Sequence, residues 1–344
     1  MKQLAYTVIG IGGILALLIL GKDTLIPLTY GVVVWFLSRY FKNMVEQIPF
    51  FKQRLPSWVT STLAFVMVMV ALSLVAQLIS SNVQSLLASS SQYQSNLNEV
   101  VAGLNAQFDF DLYTQLTEQI QNLDYQQMLS SVADGISSLL GNTSMILIYA
   151  VFLFSEEASF MMKFQKLFPN EADYARASEI LRKINQSASD YIRLKTYVSL
   201  LTGAISYVFL LIVGVEAPFF WSFLIFILNY IPTIGSLIGT AFPAVFSLIQ
   251  FGEITPFIII LGGVGATQLI IGNVIEPRIM GRSLNLSPLV TILALIVWGV
   301  IWGIPGMLLS VPITVIMVII FSQFENTRKV AILLSENGEI DGEA

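Results

Sequence analysis

Residues 229–236 read NYIPTIGS, and they lie inside an otherwise apolar run from Phe219 to Ile249. A helix crosses a bilayer with about 20 apolar residues, and this run of roughly 30 is broken at its centre by Asn229, Pro232 and Gly235. A stretch too long for one pass and interrupted by a helix breaker has two readings. It is either a hairpin that enters and leaves on one side, or two ordinary short spans joined by a tight loop.

Composition gives the setting. The chain has 344 residues, of which 55% are hydrophobic and 11% charged, with a mean hydropathy of +0.76. Soluble domains carry about 25% charged residues, so the shortfall points to a polytopic membrane protein. Cysteine and histidine are absent. That excludes disulfides and thiolate chemistry, the commonest metal ligand and the usual near-neutral proton switch. Any proton coupling falls to carboxylates. Lys2 precedes an apolar run from Leu4 to Leu20, but GKDT follows in place of a small-x-small cleavage signal, and a second apolar stretch begins at once. A retained first helix is expected.

Apolar stretches fall near 4–20, 24–38, 59–79, 137–155, 196–213, 219–249, 256–274 and 288–321. Arg39, Lys42, Lys52 and Arg54 occupy the loop 39–58, and Lys163, Lys166, Arg176, Arg182, Lys183, Arg193 and Lys195 lie in 163–195. Segment 80–142 has neither Lys nor Arg. Basic loops stay cytoplasmic, which places both termini inside and 80–142 outside. For Arg278 and Arg282 also to lie inside, 219–249 must begin and end outside, and 288–321 must begin and end inside, turning at WGIPG (302–306). The two arms of 219–249 hold roughly 13–15 residues and span about 20 Å, short of a ~30 Å hydrocarbon core. Two interrupted segments of opposite orientation are the best sequence pointer to a transporter binding site.

The polar segments keep helical spacing. Val83, Leu86 and Leu87, then Tyr93, Leu97, Val100, Val101 and Leu104, form one amphipathic series that could extend the helix of 59–79. Leu112, Leu116, Ile120 and Leu123 form another. Segment 169–195 starts with a cap at Pro169, Asn170 and Glu171, and reads as an amphipathic helix beneath the bundle or anchored on the membrane surface.

Charges inside a membrane are expensive and usually functional. Glu276 is the deepest, with Gln268 and Asn273 upstream on the same helix, Pro277 breaking it, and Arg278 and Arg282 as expected ion-pair partners. Two readings stand for Glu276, a structural pair at a helix end or a coupling carboxylate. Asn229 is the other polar group within an apolar run. Gly262, Gly263 and Gly265 favour close helix contact; GGVG has no downstream Lys and is no phosphate loop. No zinc motif, catalytic triad or Walker motif appears, and no enzyme is expected.

FILNYIPTIGSLIGTAFPAVFSLIQFG (226–252) and GNVIEPRIMGRSLNLSPLVTILALIVWGVIWGIPGMLLSVPITVI (272–316) resemble the autoinducer-2 exporter family, the PerM-like permeases. The resemblance is strong over about 180–325 and one of layout upstream. The matching positions are Asn229, Pro232, Gly235, Pro243, Gly272, Asn273, Glu276, Pro277, Arg278, Gly281, Gly303, Gly306 and Pro312, with Pro305 where many relatives vary. It implies a multi-span bacterial inner-membrane protein, pentameric, exporting a quorum signal such as autoinducer-2. For other members it implies sodium/proton antiport.

The expectation is therefore an all-α polytopic membrane protein with about 8 membrane segments, two of them Pro/Gly-broken, and an amphipathic extracytoplasmic part. Scaffold helices are expected in 1–79, the outer segment in 80–136, a fourth membrane helix and cytoplasmic helix in 137–195, a carrier domain in 196–321 and a tail in 322–344. Candidate solute or ion contacts are Asn229, Pro232, Gly235, Gln268, Asn273, Glu276, Arg278, Gly303, Pro305 and Gly306, with the two hairpins together holding a solute near mid-membrane. No cofactor, metal or nucleic acid is implied. The expected partners are the lipid bilayer, a small polar solute (or, in the alternative, monovalent cations and protons) and further copies of the chain.

Overall fold

The computed structural model describes residues 2–47, 56–89, 92–93, 95–96, 143–280 and 285–339. All regular structure among them is helical: α1 Lys2–Leu20, α2 Lys22–Glu46, α3 Ser57–Ala88, α4 Thr143–Leu167, α5 Glu171–Val213, α6 Pro218–Leu228, α7 Ile234–Phe251, α8 Ile254–Ile270, a π-helical turn Ile271–Ile275, α9 Glu276–Met280, α10 Pro288–Trp302, α11 Ile304–Ser322 and α12 Glu325–Leu334. Among the described residues six helices are long and apolar enough to cross a membrane, and up to seven if the bent α4 counts as one span. The short apolar arms α6 and α10 hold 11 and 15 residues. The second outer helical series, 112–123, lies outside the described residues, as does Arg282. Of the first series, Val83, Leu86 and Leu87 extend the preceding helix, since α3 runs to Ala88 without a break, and Leu97, Val100, Val101 and Leu104 lie outside the described residues.

Three expectations are corrected. The segment 169–195 is not a separate helix beneath the bundle. It is the first part of α5, which runs unbroken for 43 residues into the next apolar stretch, because nothing between Glu171 and Val213 is Pro and only Gly203 is Gly. Its start is capped as expected, with the Asn170 side chain accepting from the Ala172 N–H at 3.1 Å. Pro277 does not end its helix either. The ladder widens to a π turn over Ile271–Ile275, the Glu276 N–H donates to the Ile271 carbonyl, and the helix resumes through Met280. A π turn lets the chain absorb a residue that cannot donate. The hairpin arms are unequal, 11 and 18 residues in the first and 15 and 19 in the second.

The chain divides into two compact units, with boundaries inside α3 and α5. The first comprises 1–71, 141–194 and 280–344. Its core joins Tyr191, Ile192, Leu286, Val311, Val315, Val318 and Ala331. α2 lies tightly on α4, where a Cβ on Gly31 would stand 2.9 Å from Tyr149 Cβ. The Glu157 carboxylate accepts from Trp35 Nε1 at 3.0 Å and pairs with Arg39 at 3.4 Å. The α10–α11 hairpin turns on Gly303, whose φ of 66° and ψ of −141° are open essentially to glycine alone. Trp302 Nε1 donates to the Leu18 carbonyl at 3.0 Å, fixing α1 to this turn.

The second unit comprises 72–140 and 195–279. Phe220, Trp221, Ile225, Leu210, Ile260 and Val264 form its centre, with Ile79, Val83 and Leu86 of α3 packed on it. Tyr93 is wedged into one end. Its ring meets Phe246 edge-on at 5.3 Å, and its hydroxyl donates to the Glu216 carboxylate. Burial, and then the hydrogen bond to Glu216, push the Tyr93 phenol well above its ordinary range. Gln250 ties the same corner, accepting from the Glu216 N–H at 2.7 Å and donating to the Gly214 carbonyl at 2.9 Å.

Candidate functional site

Both hairpin tips are built the same way. In the first, the chain leaves α6 at Leu228, turns through Asn229–Thr233 and crosses back at Gly235. A Cβ on Gly235 would fall 1.7 Å from the Leu228 carbonyl oxygen. In the second, a Cβ on Gly306 would fall 1.9 Å from the Trp298 carbonyl oxygen. Each tip needs a glycine where the returning arm passes over the outgoing backbone. Pro232 and Pro305 have related uses: Pro232 shapes the turn, its carbonyl accepting from the Ile234 N–H at 2.6 Å, and Pro305 opens α11, where a missing N–H costs nothing.

In the second unit, the first tip docks on α5. Lys195, Ser199, Thr202 and Ser206 follow one another at i, i+4, i+7 and i+11, which puts them on one helix face, and all four are buried. The Asn229 amide donates to Ser199 Oγ at 3.1 Å, and the hydroxyls of Tyr230 and Thr196 meet at 2.6 Å. Thr202 bonds back to the Val198 carbonyl at 2.8 Å. Ser206 Oγ has no partner among the described residues.

Lys195 is 4% exposed and is the only charged residue in the described buried set. Its ammonium is hydrogen-bonded and ion-paired to the Glu276 carboxylate, just past the π turn. The expected pairing of Glu276 with Arg278 is thereby corrected. Arg278 points to an exposed position, and its ion-pair role is taken by a residue 81 positions earlier in sequence. A charge buried to this degree is retained only when paired.

Gln268 is 6% exposed, with its Nε2 unpartnered among the described residues. It lies against α7, 3.2 Å from where a Cβ on Gly239 would stand. Asn273 is exposed, its amide bonded to the Leu269 carbonyl at 3.1 Å. Of the ten candidates, Asn229, Pro232, Gly235, Gln268, Asn273, Glu276 and Arg278 fall in the second unit, and Gly303, Pro305 and Gly306 in the first. Asn229 and Glu276 share one feature, since both are held by the polar face of α5. That face was missed in the sequence, although the spacing of Lys195, Ser199, Thr202 and Ser206 within an apolar span was there to be seen.

Broken helices and long apolar spans, with a buried polar face inside an otherwise apolar unit, define an all-α polytopic membrane protein. The family model described as AI-2E family transporter matches residues 4–326, and the chain belongs to that family. The AI-2 transport protein TqsA of Escherichia coli K12 is 34% identical over 222 residues, 64% of this chain and 63% of TqsA. A protein of Haemophilus influenzae, provisionally described as a transport protein, is 30% identical over 341 residues and 96% of each chain. YhhT of Escherichia coli K12, described in the same way, is 26% identical over 336 residues.

Proposed function

We propose that this transporter moves a small, uncharged polar solute, of which autoinducer-2 is the leading candidate, out of a bacterial cell across the inner membrane. The distribution of basic loops supports both termini lying in the cytoplasm, and a homo-oligomer belongs to the same proposal. One observation carries the solute reading. Among the described residues the Gln268 amide nitrogen is buried without a partner, and the one buried charge of its unit, Lys195, is paired with Glu276. Leaving a buried donor unsatisfied costs about 1–3 kcal/mol, a cost a hydroxyl- or carbonyl-bearing solute would remove on binding. The name of TqsA supports autoinducer-2 as that solute.

The test is loss of autoinducer-2 from loaded proteoliposomes, with and without a proton or sodium gradient. Saturable loss is expected. No loss, with an internal pH change on adding external sodium, would overturn the proposal in favour of cation/proton antiport.

A further inference from the structure

Glu276 sits where a monovalent cation would be at home. Its carboxylate is partly buried and follows directly on the π turn. Pro277 brings no N–H to the ladder just past that turn. Carboxylate and carbonyl oxygens are the hard donors that sodium takes. Yet the place beside the carboxylate is filled. Lys195 reaches it from α5 with its side chain only 5% exposed, and its ammonium is hydrogen-bonded to Glu276.

The pair is not a surface accident. Most exposed ion pairs among the described residues join positions on one helix, as in Arg193 with Asp190 and Lys183 with Glu179, and Arg39 with Glu157, which joins two helices, is exposed on both sides. Lys195 and Glu276 come from distant segments, and the lysine is far more buried than the cation of any other described pair. Their contact lies one helical turn from the Asn229–Ser199 bond that seats the hairpin tip.

We infer that Lys195 is a resident cation: a tethered ammonium occupying a latent monovalent-cation site at Glu276, which makes this chain selective against sodium there. A second positive charge cannot join the carboxylate while the ammonium is held against it, and the lysine cannot diffuse away. Remove the ammonium and the carboxylate is left partly buried and uncompensated, a place that a free cation would take. The inference concerns ion binding and stands whether or not the solute proposed above is the right one. Binding, not flux, is therefore measured.

The experiment uses the purified full-length protein in detergent. Thermal unfolding is followed in sodium chloride and in choline chloride at equal ionic strength, with radioactive sodium binding in parallel. The wild-type protein should melt at the same temperature in both salts and bind no sodium. Lys195→Met, which keeps the apolar stem, should melt higher in sodium than in choline and bind about one sodium per chain. The double variant Lys195→Met with Glu276→Gln should lose the sodium effect and fold equally in both salts. Sodium binding by wild type overturns the inference. So does a Lys195→Met protein that melts identically in the two salts, or one that fails to fold in sodium as completely as in choline.

Discussion

Replacing Gly235 by alanine puts a Cβ 1.7 Å from the Leu228 carbonyl oxygen and 2.6 Å from its carbon. The two backbones would have to part until the first distance exceeds 3.0 Å. Neither atom belongs to a side chain that can swing away. Overpacking of this kind costs about 1–3 kcal/mol, and here the upper end applies because main chain meets main chain. Part of that is offset, since alanine is favoured over glycine within helices by about 1 kcal/mol. A net loss of about 2 kcal/mol is expected. Gly262→Ala is the internal control. Nothing stands within 4 Å of its Cβ position in α8, so it should hold or raise stability by about 0.5–1 kcal/mol. The pair is compared by thermal unfolding of purified protein in detergent, followed by helical circular dichroism. Gly235→Ala should melt several degrees below Gly262→Ala. Equal melting temperatures would refute the crossing geometry assigned to the hairpin tip. Gly306→Ala, 1.9 Å from the Trp298 carbonyl oxygen, should behave like Gly235→Ala.

Other consequences are open to similar tests. Gly303→Ala forces a Cβ into a backbone region that L-residues avoid and should cost about 1–3 kcal/mol, read as a lowered melting temperature. Tyr93→Phe keeps the edge contact with Phe246 but loses the bond to Glu216, a loss of about 1.5–3 kcal/mol at neutral pH. Because the folded-state phenol is raised, the contribution of Tyr93 is complete below the ordinary phenol value of about 10 and is lost as pH rises above it. Melting temperature should therefore fall more steeply above that pH in wild type than in Tyr93→Phe. Ser199→Ala strands the buried Asn229 amide and should cost about 1–3 kcal/mol, with Asn229→Leu in the same background recovering part of it.

The places where this chain turns were legible from local chemistry. NYIPTIG and WGIPG announce themselves because proline and glycine act on their own backbone, and the structure turns at both. The fifth helix was harder. Basic residues up to Lys195 and apolar residues from Thr196 mark where the environment changes, and that change was read as an end of the helix, whereas α5 passes through it. Pro277 misled for the opposite reason. A proline usually stops a helix, but the preceding π turn accommodates it. The partner of Glu276 was out of reach of spacing arguments. Arg278 and Arg282 are close in sequence, while Lys195 is brought in only by tertiary packing. Its signal lay elsewhere, in a row of polar residues at helical intervals along an apolar span.

The proposed solute contacts are the polar face of α5, the hairpin tip and Gln268. Solute loss from proteoliposomes loaded with autoinducer-2 tests this proposal most directly when wild type is compared with Gln268→Leu, reconstituted at matched protein content. Gln268→Leu removes the unpartnered donor and should leave the fold as stable as wild type or more so, while reducing saturable loss at least tenfold. Transport by Gln268→Leu at the wild-type rate would contradict the account.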